Sequence, residues 1–293
     1  MNPLLDYHAL LDEFAGPVGL KLSLALLHFL WQGVLIAAVA AVLMRLFGRR
    51  SPQRRYAIGV ASLALMAVAP VVTFCLVTPP TLPAVEPAPL ADVGDLLVDL
   101  EQFDAFLTTL DVPPGEAPVI APQAVRLTWG ERLRLVQPYA VLLWLAGSLL
   151  CGLRLVIGAH SSLKCRRGRR ALPEPWLDVV VKAAGRIGIK SPNVFVSDRV
   201  AEAIAVGLLR PMVLLPAAWI GRVPPDVLEA VLAHELAHLR RYDLWVNLFQ
   251  RIVESVLFYH PAVWWLSRRV RLEREYCCDE TAAAAVTGRA AYA

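Results

Sequence analysis

The sequence carries little charge for its length. Charged residues make up 18% of the 293 positions, whereas hydrophobic residues make up 57% and the mean hydropathy is positive. A water-soluble domain usually contains about 25% charged residues. A surface that faces lipid explains the missing charge, so the composition argues against a plain soluble protein and favours membrane insertion.

The sequence also lacks the cysteine pattern of a disulfide scaffold. Its five cysteines, an odd number, have no framework spacing: Cys75, Cys151, Cys165, Cys277 and Cys278. The adjacent pair, Cys277 and Cys278, has poor geometry for a disulfide bond to each other. The pattern of a cleavable signal peptide is missing as well, because the first apolar run is too long, an acidic segment precedes it and the arginines follow it. We therefore interpret that run as a retained membrane helix.

Three apolar runs are long enough to cross a membrane. Residues 22–44 and 56–78 contain no formal charge, and residues 136–157 contain one, Arg154, near their end. About 20 apolar residues in a helix span the ~30 Å hydrocarbon core of a bilayer. Three core helices of this length are hard to bury in one chain, so we predict three transmembrane helices at these positions.

The charges between the runs orient the predicted spans. Five arginines lie within 45–55 and five basic residues within 164–170, whereas 79–135 carries nine acidic residues against three arginines. An excess of Lys and Arg marks the cytoplasmic side of a membrane. We therefore predict a multi-pass protein of the cell (inner, cytoplasmic) membrane, with a membrane region at 1–159 that includes an extracytoplasmic loop at 79–135. Residues 160–293 are predicted to be cytoplasmic.

The predicted cytoplasmic region has the pattern of an α+β unit. Its elements are, in chain order, helix 177–187, strands 193–196, 203–206 and 212–215, and helices 225–239, 243–259 and 261 onward. Proline starts two of these helices, at Pro225 and Pro261, because the first helical position does not need an N–H. We expect Asp243 to be the N-cap of the helix between them. That helix is apolar, but Arg251 and Glu254 in its middle argue against a fourth span there.

The motif H-E-L-A-H at residues 234–238 is the strongest chemical signal. On a helix, positions i and i+4 lie on one face, so His234 and His238 can bind one metal ion, with zinc as the expected cofactor. Glu235 beside them can act as a catalytic base that takes a proton from water and passes it to a leaving amine. The alternative is an ordinary apolar helix in which two of only six histidines fall at this spacing by chance.

A third ligand has to come from elsewhere, because the H-x-x-G-x-x-H extension of metzincins does not follow the motif. Glu275, on the helix that begins at Pro261, can supply a carboxylate oxygen, and Asp279 one turn later can accept the free N–H of a ligating histidine. The alternative for Glu275 is a solvated charge among Arg268, Arg269, Arg271 and Arg274. Given the motif upstream, we favour the ligand. We interpret Cys277 and Cys278 as packing residues, although a thiolate can also bind zinc.

Three stretches together resemble the BlaR/MecR family of membrane metallopeptidases. They are H-E-L-A-H-L-R-R-Y-D, N-L-F-Q-R-I-V-E-S-V-L-F-Y-H-P-A-V-W-W and E-R-E-Y-C-C-D-E, and the similarity is dense from about residue 200 to 293. The resemblance implies a gluzincin in which His234, His238 and Glu275 bind Zn2+ and Glu235 is the catalytic base. It implies a mainly α membrane protein: three transmembrane helices plus a cytoplasmic α+β zincin-like metallopeptidase domain.

A short segment before the motif is a candidate for substrate binding. Ala203, Ile204 and Ala205, in the stretch A-I-A-V-G, resemble the edge strand on which zinc peptidases hold an extended substrate. An internal hairpin strand is the alternative for the same residues.

The resemblance also implies a role in signal transduction. Family members with an outer sensor domain respond to β-lactams, and cleavage of a cytoplasmic repressor turns on resistance genes. We expect an antirepressor that cleaves a cytoplasmic protein, for which a winged-helix repressor is one candidate and the chain itself another. The lipid bilayer is the second expected partner. The sequence does not decide whether the protein forms a homodimer. Direct contact with nucleic acid is not expected.

Two features depart from the family pattern. The family has a fourth span after the zinc helices and often a sensor beyond it, whereas this chain stops at Ala293 inside a predicted helix, 281–293. We therefore expect the peptidase domain to be truncated at its C-terminal end. A penicilloyl-accepting serine motif is missing too, so antibiotic sensing is not predicted.

Two other functions fit the same motifs. One is a housekeeping membrane protease of the CAAX-protease/HtpX type, which shares H-E-x-x-H and E-x-x-x-D. The other is a non-enzymatic transducer with a structural zinc site. Glu235 argues against the transducer, because a structural site has no use for a catalytic base.

Overall fold

Three long apolar helices come first in the computed structural model, which describes residues 16–48, 51–78 and 129–286. These helices are α1 (Pro17–Phe47), α2 (Pro52–Leu76) and α3 (Trp129–Arg166). Each contains a stretch that is long and apolar enough to cross a membrane, which in α3 is Val136–Arg166. The three predicted spans thus correspond to helices of membrane-spanning length.

Helix α3 extends beyond the span predicted at 136–157. A predicted span ends where the sequence becomes polar, whereas the helix itself can continue into the polar residues. The helix continues to Arg166, two residues before Gly168 takes a left-handed conformation with φ 78°. Residues 79–128 of the predicted loop 79–135 lie outside the described residues. Residues 287–293 of the predicted helix 281–293 lie outside them too.

The remaining described elements are a small sheet, four α-helices and one short 3-10 helix (Ala217–Trp219). They are β1 (Arg170–Ala171), α4 (Glu174–Ile187), β2 (Val194–Ser197), β3 (Ile204–Val206), β4 (Met212–Pro216), α5 (Pro225–Arg240), α6 (Asp243–Val256) and α7 (Pro261–Ala285). The strand order is β1-β2-β4-β3, with β2 parallel to β4 and the other pairs antiparallel. Strand β3 is therefore at the edge of the described sheet, in register with β4 through Ile204 opposite Leu214 and Ala205 opposite Val213.

Two large hydrophobic cores hold most of the described elements together, and a third, smaller one contains Val206 of β3 with Met212 and Leu214 of β4. The first lies between the sheet and helices α4 and α5, and its fully buried members include Ile187, Leu215, Leu232 and Leu236. The second joins α1 and α2 to α6 and α7, and includes Phe29, Leu63, Met66, Val253 and Leu266. Helix α7 belongs to both cores, because its Leu266 lies in the second and its Ala282 in the first. The helix that carries Glu275 therefore packs against both the apolar helices and the sheet region.

The predicted role of Asp243 as a helix cap is wrong. The N-cap of α6 is Tyr242, in a left-handed conformation with φ 59°, and Asp243 is the first helical residue. The Asp243 side chain is buried, with 3% of its surface exposed. The sequence pattern of an acid before an apolar helix is the same in both cases, so the pattern could not distinguish them.

His260 ties the start of α7 to α1. Its Nδ1 accepts a hydrogen bond from the Ala262 backbone N–H at 3.2 Å, so its Nε2–H is the donor to the Leu30 carbonyl at 3.0 Å. The ring is 1% exposed and lies against Gly33 of α1. The close approach of the two segments depends on the missing side chain at Gly33.

We expect Gly33→Ala to destabilise the protein by about 1–3 kcal/mol, as overpacking in a well-packed core does. The new Cβ would lie 2.7 Å from two atoms of the His260 ring, which its two hydrogen bonds hold in place. Apparent Tm in detergent measures the effect. Gly152→Ala is the matched control, because no atom lies within 4 Å of a Cβ at that position of α3. An equal Tm for the two variants would contradict the expectation.

Candidate metal centre

Helix α5 places the histidines of the H-E-L-A-H motif on one face. The helix begins with Pro225 at its first position and has Asp226 in its first turn, where an acid suits the helix dipole. Leu232 and Leu236 on its apolar side are fully buried in the first core. This packing fixes the rotation of α5 and leaves His234 and His238 only partly buried, at 24% and 15% exposed.

Three ligand atoms from α5 and α7 converge. The Nε2 atoms of His234 and His238 are 3.2 Å apart, and Glu275 Oε2 lies 3.6 Å from the first and 3.4 Å from the second. Ligand atoms at 2.0–2.2 Å from a tetrahedral ion are separated by roughly 3.3–3.6 Å. The spacing and the donor set of two imidazoles and one carboxylate therefore fit a zinc ion.

Two further carboxylates contact the far side of the imidazole rings. His234 Nδ1 lies 2.9 Å from Asp279 Oδ1, and His238 Nδ1 lies 2.9 Å from Asp243 Oδ2. Each Nδ1–H can donate to its carboxylate, which leaves the Nε2 lone pair directed toward the other two ligand atoms. Carboxylates in this position set the tautomer and orientation of ligating histidines.

The charges of the site shift its pKa values strongly. Burial alone would lower the pKa of His238, but its contacts with Asp243, Cys278 and Glu275 outweigh burial and raise the pKa to about 12. The contacts with His234 and His238 hold the pKa of Glu275 well below its usual range. The Glu275 carboxyl group therefore stays in its charged form, which is the form that can bind a cation.

Glu235 lies beside these ligands and next to strand β3. Burial raises the pKa of its carboxyl, while the two histidines and the backbone N–H of Ala205 lower it. The hydrogen bond from the Ala205 backbone places the edge strand β3 next to the Glu235 carboxylate. A raised pKa suits a group that must both accept and release a proton.

The predicted substrate residues are only partly in the strand. Ile204 and Ala205 belong to β3, whereas Ala203 precedes it and packs partly buried against the first core. The edge position of β3 agrees with the first of the two interpretations of this segment, because one side of β3 is not paired with another described strand. Strand β3 is also the antiparallel hairpin partner of β4, so a role of these residues in substrate binding stays a prediction.

The sequence interpretation missed the contacts of Asp243 and Cys278. Cys278 and its neighbour Cys277 are both buried as predicted, but Cys278 Sγ also lies 3.3 Å from His238 Nδ1 and 3.4 Å from Asp243 Oδ2. These three residues form a second group with metal-ligand atoms. Asp243 and Cys278 are almost completely buried, whereas Glu275 is 46% exposed. Only the first group is open to a substrate.

The site combines a helix-borne histidine pair, a carboxylate from a neighbouring helix and an adjacent glutamate, which is the composition of a metallopeptidase centre. A sequence profile described as BlaR1 peptidase M56 matches residues 29–293. The chain belongs to the BlaR1 peptidase M56 family. The predicted family and fold class are thereby confirmed.

Individual relatives agree with this assignment. The chain is 35% identical over 83 residues to the regulatory protein BlaR1 of Bacillus licheniformis, covering 28% of this chain and 14% of that protein. It is 29% identical over 140 residues to a protease HtpX homolog of Janthinobacterium sp., covering 44% and 47%. It is 22% identical over 142 residues to the methicillin resistance mecR1 protein of Staphylococcus aureus, covering 47% and 24%. The matched regions thus span less than half of each relative.

Proposed function

We propose that the chain is a zinc metalloendopeptidase of the H-E-x-x-H gluzincin type that cleaves a cytoplasmic protein in signal transduction. The observation that carries the proposal is the convergence of His234 Nε2, His238 Nε2 and Glu275 Oε2 beside Glu235. The ligand spacing favours zinc, and the half-exposed Glu275 leaves the site open on one side.

The residues around the site have separate tasks in this proposal. A zinc ion, when bound, supplies a Lewis acid that polarises a carbonyl and lowers the pKa of water to about 7. Glu235 accepts a proton from the attacking water and delivers it to the leaving amine. Strand β3 pairs with the extended substrate through backbone groups of Ile204 and Ala205, which positions the scissile bond without requiring a particular sequence.

The proposed setting is the cytoplasmic membrane, with a peptidase region at about 160–293 on the cytoplasmic side. The supporting observation is the charge distribution, since the basic segments 45–55 and 164–170 flank the predicted spans on one side. A repressor encoded near the gene is the first substrate to test, because relatives are named a regulatory protein and a methicillin resistance protein.

One observation favours a second candidate, a housekeeping protease. The match to the HtpX homolog covers 44% of this chain, close to the 47% covered by the match to the mecR1 protein. N-terminal peptide labelling of cells that express the full chain distinguishes the two functions. A regulatory peptidase yields new cytoplasmic N-termini from one or a few proteins, including a DNA-binding protein. Cleavage of many membrane proteins would support the housekeeping role, and no new N-termini would overturn both.

We expect the purified chain to contain about one zinc ion and His238→Ala to contain almost none, because two remaining ligands do not hold zinc in a three-ligand site. Elemental analysis after dialysis measures the zinc content. His160→Ala is the control, since His160 is an exposed histidine of α3. Retention of one zinc ion by His238→Ala would show that the ligand assignment is wrong.

A further inference from the structure

A buried carboxylate connects the proposed metal ligand His238 to an apolar helix. Asp243 is 3% exposed and its two oxygens have different partners. Its Oδ2 faces His238 Nδ1 at 2.9 Å, and its Oδ1 accepts a hydrogen bond from the Tyr56 hydroxyl at 3.1 Å. Tyr56 lies in the second turn of α2, which is one of the three helices of membrane-spanning length.

The position of Tyr56 is fixed from several directions. The Arg241 guanidinium lies 4.6 Å from the centre of the Tyr56 ring. The Nε atom of Arg241 lies 3.6 Å from Asp243 Oδ2. One turn further along α2, Gly59 lets the helix approach α7 so closely that a Cβ there would lie 2.7 Å from Val270 Cγ2. The hydroxyl of Tyr56 therefore reaches Asp243 as part of a packed helix contact rather than as a loose surface side chain.

The orientation of a ligating imidazole depends on the acceptor that holds its other nitrogen, and that acceptor depends on its own hydrogen bonds. Asp243 has few groups to hold it: the described contacts come from His238, Tyr56, Cys278 and Arg241. Of these, only Tyr56 holds Oδ1. Without the hydroxyl, the carboxylate is free to turn about its χ2 angle and no longer holds the His238 ring in one orientation.

We propose that Tyr56 is a positioning residue for the metal ligand His238, acting through Asp243, so that the metal centre responds to the position of α2. The proposal rests on the proposed metal site and adds to it a residue from outside the peptidase elements. A shift of α2 relative to α6 by about 1 Å would break the Tyr56–Asp243 hydrogen bond. Such a shift would loosen the site without any contact between α2 and the metal.

The test compares Tyr56→Phe with Tyr259→Phe in the full chain in detergent. Tyr259 donates its own hydroxyl hydrogen bond to the Leu26 carbonyl of α1 at 3.1 Å, so this control removes an equally long contact between another helix of membrane-spanning length and the segment that joins α6 to α7. Zinc affinity is measured on the metal-free protein by competition with a chromophoric chelator. We expect about 10-fold weaker binding for Tyr56→Phe, the lower end of the range for residues that orient metal ligands, and a change within about 2-fold for Tyr259→Phe.

Two further readouts separate positioning from general loosening. With Co2+ in place of zinc, we expect the visible absorption bands to shift in Tyr56→Phe and to stay unchanged in Tyr259→Phe, since these bands report ligand geometry. In an Asp243→Asn background, Tyr56→Phe should have no additional effect on affinity, because a residue that acts through Asp243 is coupled to it in a double-mutant cycle.

The outcomes distinguish this proposal from the proposed function. Zinc binding by the unsubstituted chain with equal affinities for Tyr56→Phe and Tyr259→Phe would overturn the role of Tyr56 and leave the metal site intact. Additive effects of Tyr56→Phe and Asp243→Asn would overturn the route through Asp243. Absence of zinc binding by the unsubstituted chain would overturn the proposed function itself, and the role of Tyr56 with it. If Tyr56→Phe does not fold, Asp243→Asn alone still tests the route, and zinc affinity equal to that of the unsubstituted chain would overturn it.

Discussion

Glu235→Gln is expected to reduce peptide-bond cleavage by about 10²–10⁴-fold, the usual contribution of a general acid–base group. The substitution keeps the shape of the side chain and an oxygen that can face the Ala205 N–H, but it removes the group that accepts a proton. The metal ligands His234, His238 and Glu275 are unchanged. We therefore expect the variant to retain about one zinc ion per chain.

Two measurements on the same preparation check this expectation. Zinc content is determined by elemental analysis, and cleavage is followed by the appearance of the new N-terminus of an identified substrate. Glu229→Gln is the matched control, because Glu229 lies on the same helix and pairs with Arg186 away from the ligands. Cleavage by Glu235→Gln within a few-fold of the unsubstituted chain would rule out Glu235 as the base, and loss of zinc would instead indicate a structural role.

Local patterns in the sequence were sufficient for much of this site. The i, i+4 spacing of His234 and His238 needs only one helix to bring both rings to one face, and the helix is present at Pro225–Arg240. Glu275 and Asp279 are one turn apart on α7, so once α7 packs against α5 both reach His234. The spans were predictable for a similar reason, since hydrophobic length alone defines them.

The contacts of Asp243 could not be predicted in the same way. An acid in the first turn of a helix has the same local signature whether it caps the helix or contacts a distant group. Here the distant groups are Tyr56, which is 187 residues away in sequence, and Cys278, which is 35 away. The packing of both α2 and α7 against α6 brings them to Asp243, and no short-range periodicity encodes that packing.

The sequence pattern also could not predict that α7 contributes residues to both large cores. In the sequence, four arginines surround Glu273 and Glu275 on this helix: Arg268, Arg269, Arg271 and Arg274. The structure buries Glu273 completely, and gives it two arginine partners. Composition does not distinguish a buried carboxylate in an arginine-rich helix from an exposed one, because an arginine three or four residues away can pair with the carboxylate in either setting.

Glu273→Gln is expected to destabilise the protein by about 3 kcal/mol, the lower end of the range for breaking a buried ion pair. Glu273 is 0% exposed and lies 2.7 Å from Arg55 Nε of α2 and 2.7 Å from Arg269 Nη2 of its own helix. Without the carboxylate, the charge of Arg55 at the junction of α2 and α7 loses its closest partner. Arg55 and Arg269 are 20% and 41% exposed, so water compensates part of the loss, which is why the lower end applies.

Thermal unfolding in detergent measures this effect, for which we expect a fall in apparent Tm of roughly 6–12 °C. Glu280→Gln is the matched control, because Glu280 lies on the same helix and also contacts α2, through Gln53 at 2.6 Å, but is exposed to solvent. Its substitution should change stability by no more than about 0.5 kcal/mol. Equal Tm values for the two variants would show that the Arg55–Glu273 pair does not hold α2 against α7. A large difference would establish that the contact between α2 and the ligand-bearing helix depends on the buried charge of Glu273.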